Sequence, residues 1–121
     1  MVLLDSNRDI LEEYINYLHV SGQPGVGDRF FKWLWDNQGH EELCRFIDIT
    51  PVDEPRMYLE FPADERLDGF DRSDRKFVAV ALASGANPKI VNAVDSDWWI
   101  FGALLREYAL NISNICPDAM P

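Results

Sequence analysis

The chain has 121 residues, enough for one small domain with a modest core. Its composition, 47% hydrophobic with 12% aromatics and 26% charged, is too apolar and too rich in rings for a disordered tail. Acidic residues outnumber basic ones 21 to 11, and the formal charge of -10 disfavours a broad basic surface tracking nucleic acid or an anionic membrane.

In chain order, Val2-Leu3-Leu4 reads as a short strand stopped by Asp5-Ser6-Asn7, a cluster suited to capping a helix. The helix that follows carries Ile10, Leu11, Tyr14, Ile15 and Leu18 at helical spacing, with Glu12 and Glu13 beside the buried stripe. Ser21 to Gly27 breaks the pattern as a loop, and Asp28 is placed to cap a second helix whose stripe is Phe30, Phe31, Leu34 and Trp35, ending near Gln38-Gly39. Cys44 to Ile49 alternates as an edge strand does, and the proline-rich, acidic stretch from Pro51 to Gly69 reads as a long irregular connection.

Ser73 then opens, and Gly85 closes, a helix that is apolar nearly all round over Phe77 to Ala83, as fits an interior helix packed on a sheet. Lys89 to Val94 reads as a strand with Asp95-Ser96-Asp97 at its carboxyl end, followed by a helix from Trp98 to about Tyr108 and a strand over Leu110 to Cys116. Strands alternating with helices predict an α/β domain with a mainly parallel sheet covered on both faces. In such sheets ligands bind outside the carboxyl ends of the strands, which selects Asp95 and Asp97.

Cys44 and Cys116 form no CxxC pair and His19 and His40 show no zinc spacing, while the early Asp5 interrupts any secretory core. A membrane span is not expected, and a reducing cytoplasm is the expected compartment. Carboxylates remain as the chemistry-bearing set. Glu13, Asp74, Asp95 and Asp97 come from separate elements, and a hard cation such as Mg2+ needs only one or two direct carboxylates plus water. Such an ion relieves the repulsion among crowded acids, activates water and neutralises charge developing on a phosphodiester. Taken singly, each acid has a plainer reading: Asp74 complements a helix dipole, Asp95 and Asp97 bond to their own turn, and Glu13 sits on a solvated face.

Asp74-Arg75-Lys76-Phe77-Val78-Ala79-Val80-Ala81 together with Ile90 to Trp98 resembles the C-terminal motifs of PIN-domain proteins. In that family an acid opens a helix with alanines five and seven positions on, as Asp74, Ala79 and Ala81 do, and a strand ends in acid-x-acid-aromatic, as Asp95, Asp97 and Trp98 do. The segment Ile10 to Tyr14 is similar to the family's helix bearing its second acid, with Glu13 the better-placed candidate, and Ser21 to Asp28 with its aromatic helix resembles a bacterial subgroup of PIN-like proteins.

The resemblance implies a three-layer α/β/α fold and metal-dependent hydrolysis of RNA, many members being toxins of toxin–antitoxin pairs. It implies that Asp74, Asp95 and Glu13 bind one or two Mg2+ or Mn2+ ions and that Asp97 ligates or orients a water. Family members begin with a strand ending in an acid, then Thr or Ser and Asn, helices, a second strand and the Glu-bearing helix. Here Val2 to Asn7 matches that opening, yet Glu13 follows almost at once. Read as the second strand, Val2 to Leu4 keeps the later order but leaves the family's first strand and acid missing, a gap that a second copy of the chain would fill. Read as the first strand, it makes Asp5 the first acid. A silent module working through a protein partner, such as an antitoxin, is the alternative to an active nuclease.

Overall fold

The first strand of the computed structural model, β1 (Val2–Asp5), lies parallel to β2 (Cys44–Ile47), with Leu4 opposite Phe46 and Asp5 opposite Ile47. Between them run α1 (Asp9–Tyr17) and α2 (Val26–Asn37). The structure describes residues 1–17, 26–52, 57–92, 95–116 and 118. The chain divides into two compact units, Met1–Asp48 and Ile49–Pro121.

In the first unit, Leu4, Ile10, Leu11, Phe31 and Leu34 are almost wholly buried. Each contributes about 1.5–3 kcal/mol of gross hydrophobic stabilisation, which draws α1 onto β1 and α2 onto α1, where Phe31 meets Tyr14 edge-on at 6.3 Å. The predicted stripes were too wide. Ile15 on α1 and Phe30 and Trp35 on α2 are exposed, because each helix buries only a narrower arc, Ile10 and Leu11 on α1 and Phe31 and Leu34 on α2. The start of α2 also differs from expectation: Asp28 lies inside the helix, which begins at Val26, since glycine is least costly in a first turn whose amides have no intrahelical partner. The predicted loop at Ser21 to Gly25, and Leu18, fall outside the described residues.

In the second unit, β3 (Lys89–Asn92) pairs in parallel with β4 (Asn111–Asn114). The buried helix is α3 (Arg75–Ser84), closed by Gly85 at φ 64°, a left-handed conformation that glycine adopts without strain. Val78, Ala79, Val80 and Ala81 are buried along it. The expected single helix after β3 is split into α4 (Ser96–Ile100) and α5 (Gly102–Glu107) at Phe101, although Phe101 N–H still reaches Asp97 O and Leu105 N–H reaches Phe101 O, both at 2.9 Å. The irregular stretch after Pro51 includes an antiparallel bridge between Pro51 and Tyr58 and a 3-10 turn at Glu65–Leu67. Its aromatics are core: Phe70 meets Trp98 and Phe101 edge-on at 5.1 and 5.7 Å and stacks on Phe61 at 6.0 Å.

The architecture is therefore mixed α/β with short parallel strands. Among the described residues these form two two-stranded sheets, where the sequence predicts one mainly parallel sheet.

Candidate acidic site

Three of the predicted acids lie in the second unit, on two turns tied to each other. Asp95 is the N-cap of α4, its Oδ1 accepting from Asp97 N–H at 2.9 Å. Its own N–H donates to Asn92 Oδ1 at 3.1 Å, while Asn92 Nδ2 donates to Asp95 O and to Asn114 Oδ1, both at 2.9 Å. The side chains ending β3 and β4 thus fix the backbone of Asp95.

Across from this turn, Asp97 Oδ2 accepts the backbone N–H of Asp71 at 2.9 Å. Asp71 Oδ1 in turn accepts from Ser73 N–H and Ser73 Oγ, both at 2.9 Å, and caps a 3-10 turn over Arg72–Asp74. Ser73 was the expected cap of the buried helix; instead it is held by Asp71, and Asp74 stands at the N-cap of α3. Asp74 makes no side-chain bond to the first amides of α3, so its charge can complement the helix dipole only through space, from the N-cap.

The two basic residues that follow are not surface charges. Arg75 and Lys76 are 5% and 6% exposed. Arg75 Nη2 donates to the carbonyls of Leu67, Asp68 and Phe70 at 3.3, 3.2 and 3.1 Å, and its guanidinium lies 4.7 Å from the centre of the Phe61 ring. Burial, reinforced by the nearby Arg72 charge, pushes its pKa down, yet a guanidinium stays ionised at any working pH. Lys76 Nζ donates to Ser73 O. Arg75 thus holds the loop from Leu67 to Phe70 that leads into the turn carrying Asp71 and Asp74, and Lys76 holds that turn itself. Lys89 and Arg29 are exposed, and exposed Lys32 pairs with Asp36 at 2.8 Å.

The first unit holds Asp5 and Glu13. Asp5 is fully buried at the carboxyl end of β1, and its two oxygens accept from Asp9 N–H at 2.8 Å and Ile10 N–H at 2.9 Å. It therefore satisfies two of the unpaired amides that begin α1. Beside it, Ser6 Oγ donates to Asp48 Oδ1 at 2.5 Å just past the end of β2. Glu13 is half-buried on α1, where its charge adds to burial in raising the phenol pKa of Tyr14.

Sequence reasoning missed Asp71, Asn92 and Asn114. The Asp71-x-Ser73 spacing is an Asx-turn signal that would have found the first; the two asparagines carry no comparable mark. Oxygen-only donors suit Mg2+ or Mn2+. However, among the described residues no three His, Cys, Asp or Glu side chains gather into a group able to hold a cation, and the oxygens Asp95 Oδ1 and Asp97 Oδ2 already accept backbone amides. The donor chemistry fits and the ligand set is incomplete among these residues. Compared with known proteins, the chain matches no family model, no curated sequence and no solved structure. No helix among the described residues is long and apolar enough to cross a membrane.

Proposed function

We propose that the chain is a PIN-like, metal-dependent ribonuclease with the family's three-layer fold. The observation that carries the reading is the hydrogen bond from Asp71 to Asp97, which ties the turn bearing Asp95 and Asp97 to the turn bearing Asp74. These are the three positions where the PIN resemblance expects acids.

The opening of the chain supports the variant in which Asp5 is the first acid. A strand ends in Asp5-Ser6-Asn7, two helices follow, and the next strand pairs in parallel with the first, as in the family's opening order. Under this order Val2–Asp5 takes the place of the family's first strand, and Glu13 precedes the second strand where the family's Glu helix follows it. In this reading Asp74 and Asp95 hold Mg2+ or Mn2+, with Asp97 fixing the Asp71 turn and orienting water. The bound ion would supply water activation and charge neutralisation.

The test is cleavage of a mixed-sequence single-stranded RNA with Mn2+, beside an EDTA control and an Asp74→Ala, Asp95→Ala double variant. Cleavage that needs both metal and acids is expected. Folded protein without cleavage supports the second reading, a silent PIN-like module working through a protein partner such as an antitoxin, which the absence of a three-acid group among the described residues favours. Thermal unfolding gives an independent readout: Mg2+ or Mn2+ raises the midpoint of the wild type and not of Asp95→Asn, whereas an unchanged wild-type midpoint counts against a metal site.

A further inference from the structure

We infer that a groove in the first unit, lined by Arg8, Gln38, Gly39, Glu41, Arg45 and Phe46, takes one nucleotide of a single-stranded RNA. The choice of RNA rests on the ribonuclease reading; the groove itself does not involve the acids of that site. It is an open cavity of about 760 Å³, within the range that suits a nucleotide-sized ligand.

Arg8 is unusually well held for an exposed arginine. Its φ of 67° lies in the left-handed region, which side chains other than glycine, asparagine and aspartate rarely occupy. The conformation is fixed from both sides, Arg8 N–H donating to Asp5 O at 3.1 Å and Arg8 O accepting from Glu12 N–H at 2.9 Å. Its guanidinium lies 5.4 Å from the centre of the Phe46 ring, and Nη1 donates to Gln38 Oε1 at 3.0 Å. The guanidinium thus sits beside an aromatic ring on an exposed side chain, where a base can stack against it. Because the side chain is already ordered, less rotamer freedom is lost on binding.

Arg45 supplies the complementary contact. It is exposed on β2, between buried Cys44 and half-buried Phe46. Among the described residues the ion pairs involve Lys32 and Arg66, not Arg8 or Arg45. In a chain with 21 acidic and 11 basic residues, two arginines free of carboxylate partners on one groove make a local anion site. Glu41 on the same lining disfavours a bare anion. It favours a ligand that carries N–H donors as well as a phosphate, which a nucleotide does.

The experiment is equilibrium binding of a fluorescently labelled single-stranded RNA of about ten nucleotides, followed by anisotropy in EDTA so that no cleavage intervenes. Arg8→Asn keeps a residue that tolerates positive φ, and Arg45→Gln removes one phosphate-binding charge; circular dichroism confirms that each is folded. Both are expected to weaken binding about tenfold, and Arg45→Gln to lower the salt dependence measured between about 50 and about 200 mM by roughly one counterion. Arg8→Lys, which keeps the charge but lacks the plane, is expected to bind as weakly as Arg8→Asn. Lys89→Gln, in the second unit, is expected to bind as the wild type does. Unchanged affinity in folded Arg8→Asn and Arg45→Gln, or no wild-type binding up to about 100 µM RNA, overturns the proposal. The two readings fail separately: RNA held by the groove but never cleaved with Mn2+ sinks the ribonuclease alone, and cleavage with groove variants that bind normally sinks the groove alone.

Discussion

The backbone amide of Asp71 donates to Asp97 Oδ2 at 2.9 Å across 26 residues of sequence. A carboxylate accepting a backbone N–H is a charge-assisted bond, stronger than a neutral one, so Asp97 has a structural duty whether or not a metal binds. Asp97→Ala is expected to destabilise the protein by about 1–2 kcal/mol, read from the midpoint of urea unfolding. Asp97→Asn keeps an acceptor oxygen and is expected to lose less than half as much. Equal losses in the two variants would mean that packing, not this bond, accounts for the effect.

Arg75 makes the same turn depend on a buried cation. Three carbonyls, from Leu67, Asp68 and Phe70, converge on one guanidinium nitrogen, and a side chain without donors takes this partner from all three, leaving Leu67 O only its bond from Phe70 N–H. Arg75→Met is expected to cost about 2–4 kcal/mol. Arg75→Lys restores the charge but not the fork, and its ammonium cannot span the same three oxygens, so an intermediate loss is expected. Chemical denaturation of the three proteins checks the ranking; a lysine variant as stable as the wild type would show that charge alone suffices.

The same residues show how far sequence carries. Gly85, and the spacing of Asp74, Ala79 and Ala81, mark α3 because a left-handed terminus and small buried side chains are local requirements. The strand ending at Asp5 was legible because a capping cluster follows an apolar run. Arg75 and Lys76 show the opposite case: charge in a sequence carries no sign of burial, and theirs depends on carbonyls from a loop whose path no periodicity encodes. Asn92 was equally hidden, since an amide bridging β4 and the Asp95 turn looks in sequence like any polar strand end. The break at Phe101 has only Gly102 to announce it, and Phe101 turns instead to the Phe70 ring.

Asp64 gives the fold an acid-sensitive joint. Its carboxylate accepts from Arg66 Nε at 3.1 Å and Nη2 at 2.8 Å, and from Tyr108 Oη at 2.7 Å, joining the 3-10 turn at Glu65–Leu67 to the end of α5. The Arg66 bonds, then the Tyr108 bond, hold the carboxyl well below the usual carboxylate range. In the acid window the unfolded chain therefore binds this proton more readily than the folded one. The contribution is complete above the unfolded pKa of about 3.9 and is lost as pH falls through the folded value. Asp64→Asn is expected to flatten the fall in melting temperature between about pH 5 and about pH 2.5. Parallel curves for variant and wild type would assign the acid limb to other carboxylates. Tyr108 responds at the opposite end: its bond to Asp64 raises the phenol pKa, so that interaction is complete below about pH 10 and fades as the phenol ionises.

Asp5 is where structure and proposed chemistry coincide, and substitutions can separate the two roles. Both oxygens are engaged by the amides that begin α1, in a fully buried setting. Asp5→Ala strands two buried donors and is expected to cost about 2–4 kcal/mol. Asp5→Ser and Asp5→Asn each offer one acceptor oxygen and are expected to recover part of that loss, which differential unfolding in urea measures. Neither supplies a carboxylate, so if Asp5 is the first acid both abolish Mn2+-dependent RNA cleavage while remaining folded. Folded Asp5→Asn that still cleaves RNA would assign Asp5 to capping alone, because an amide that satisfies helix N–H groups is a poor ligand for a hard divalent cation.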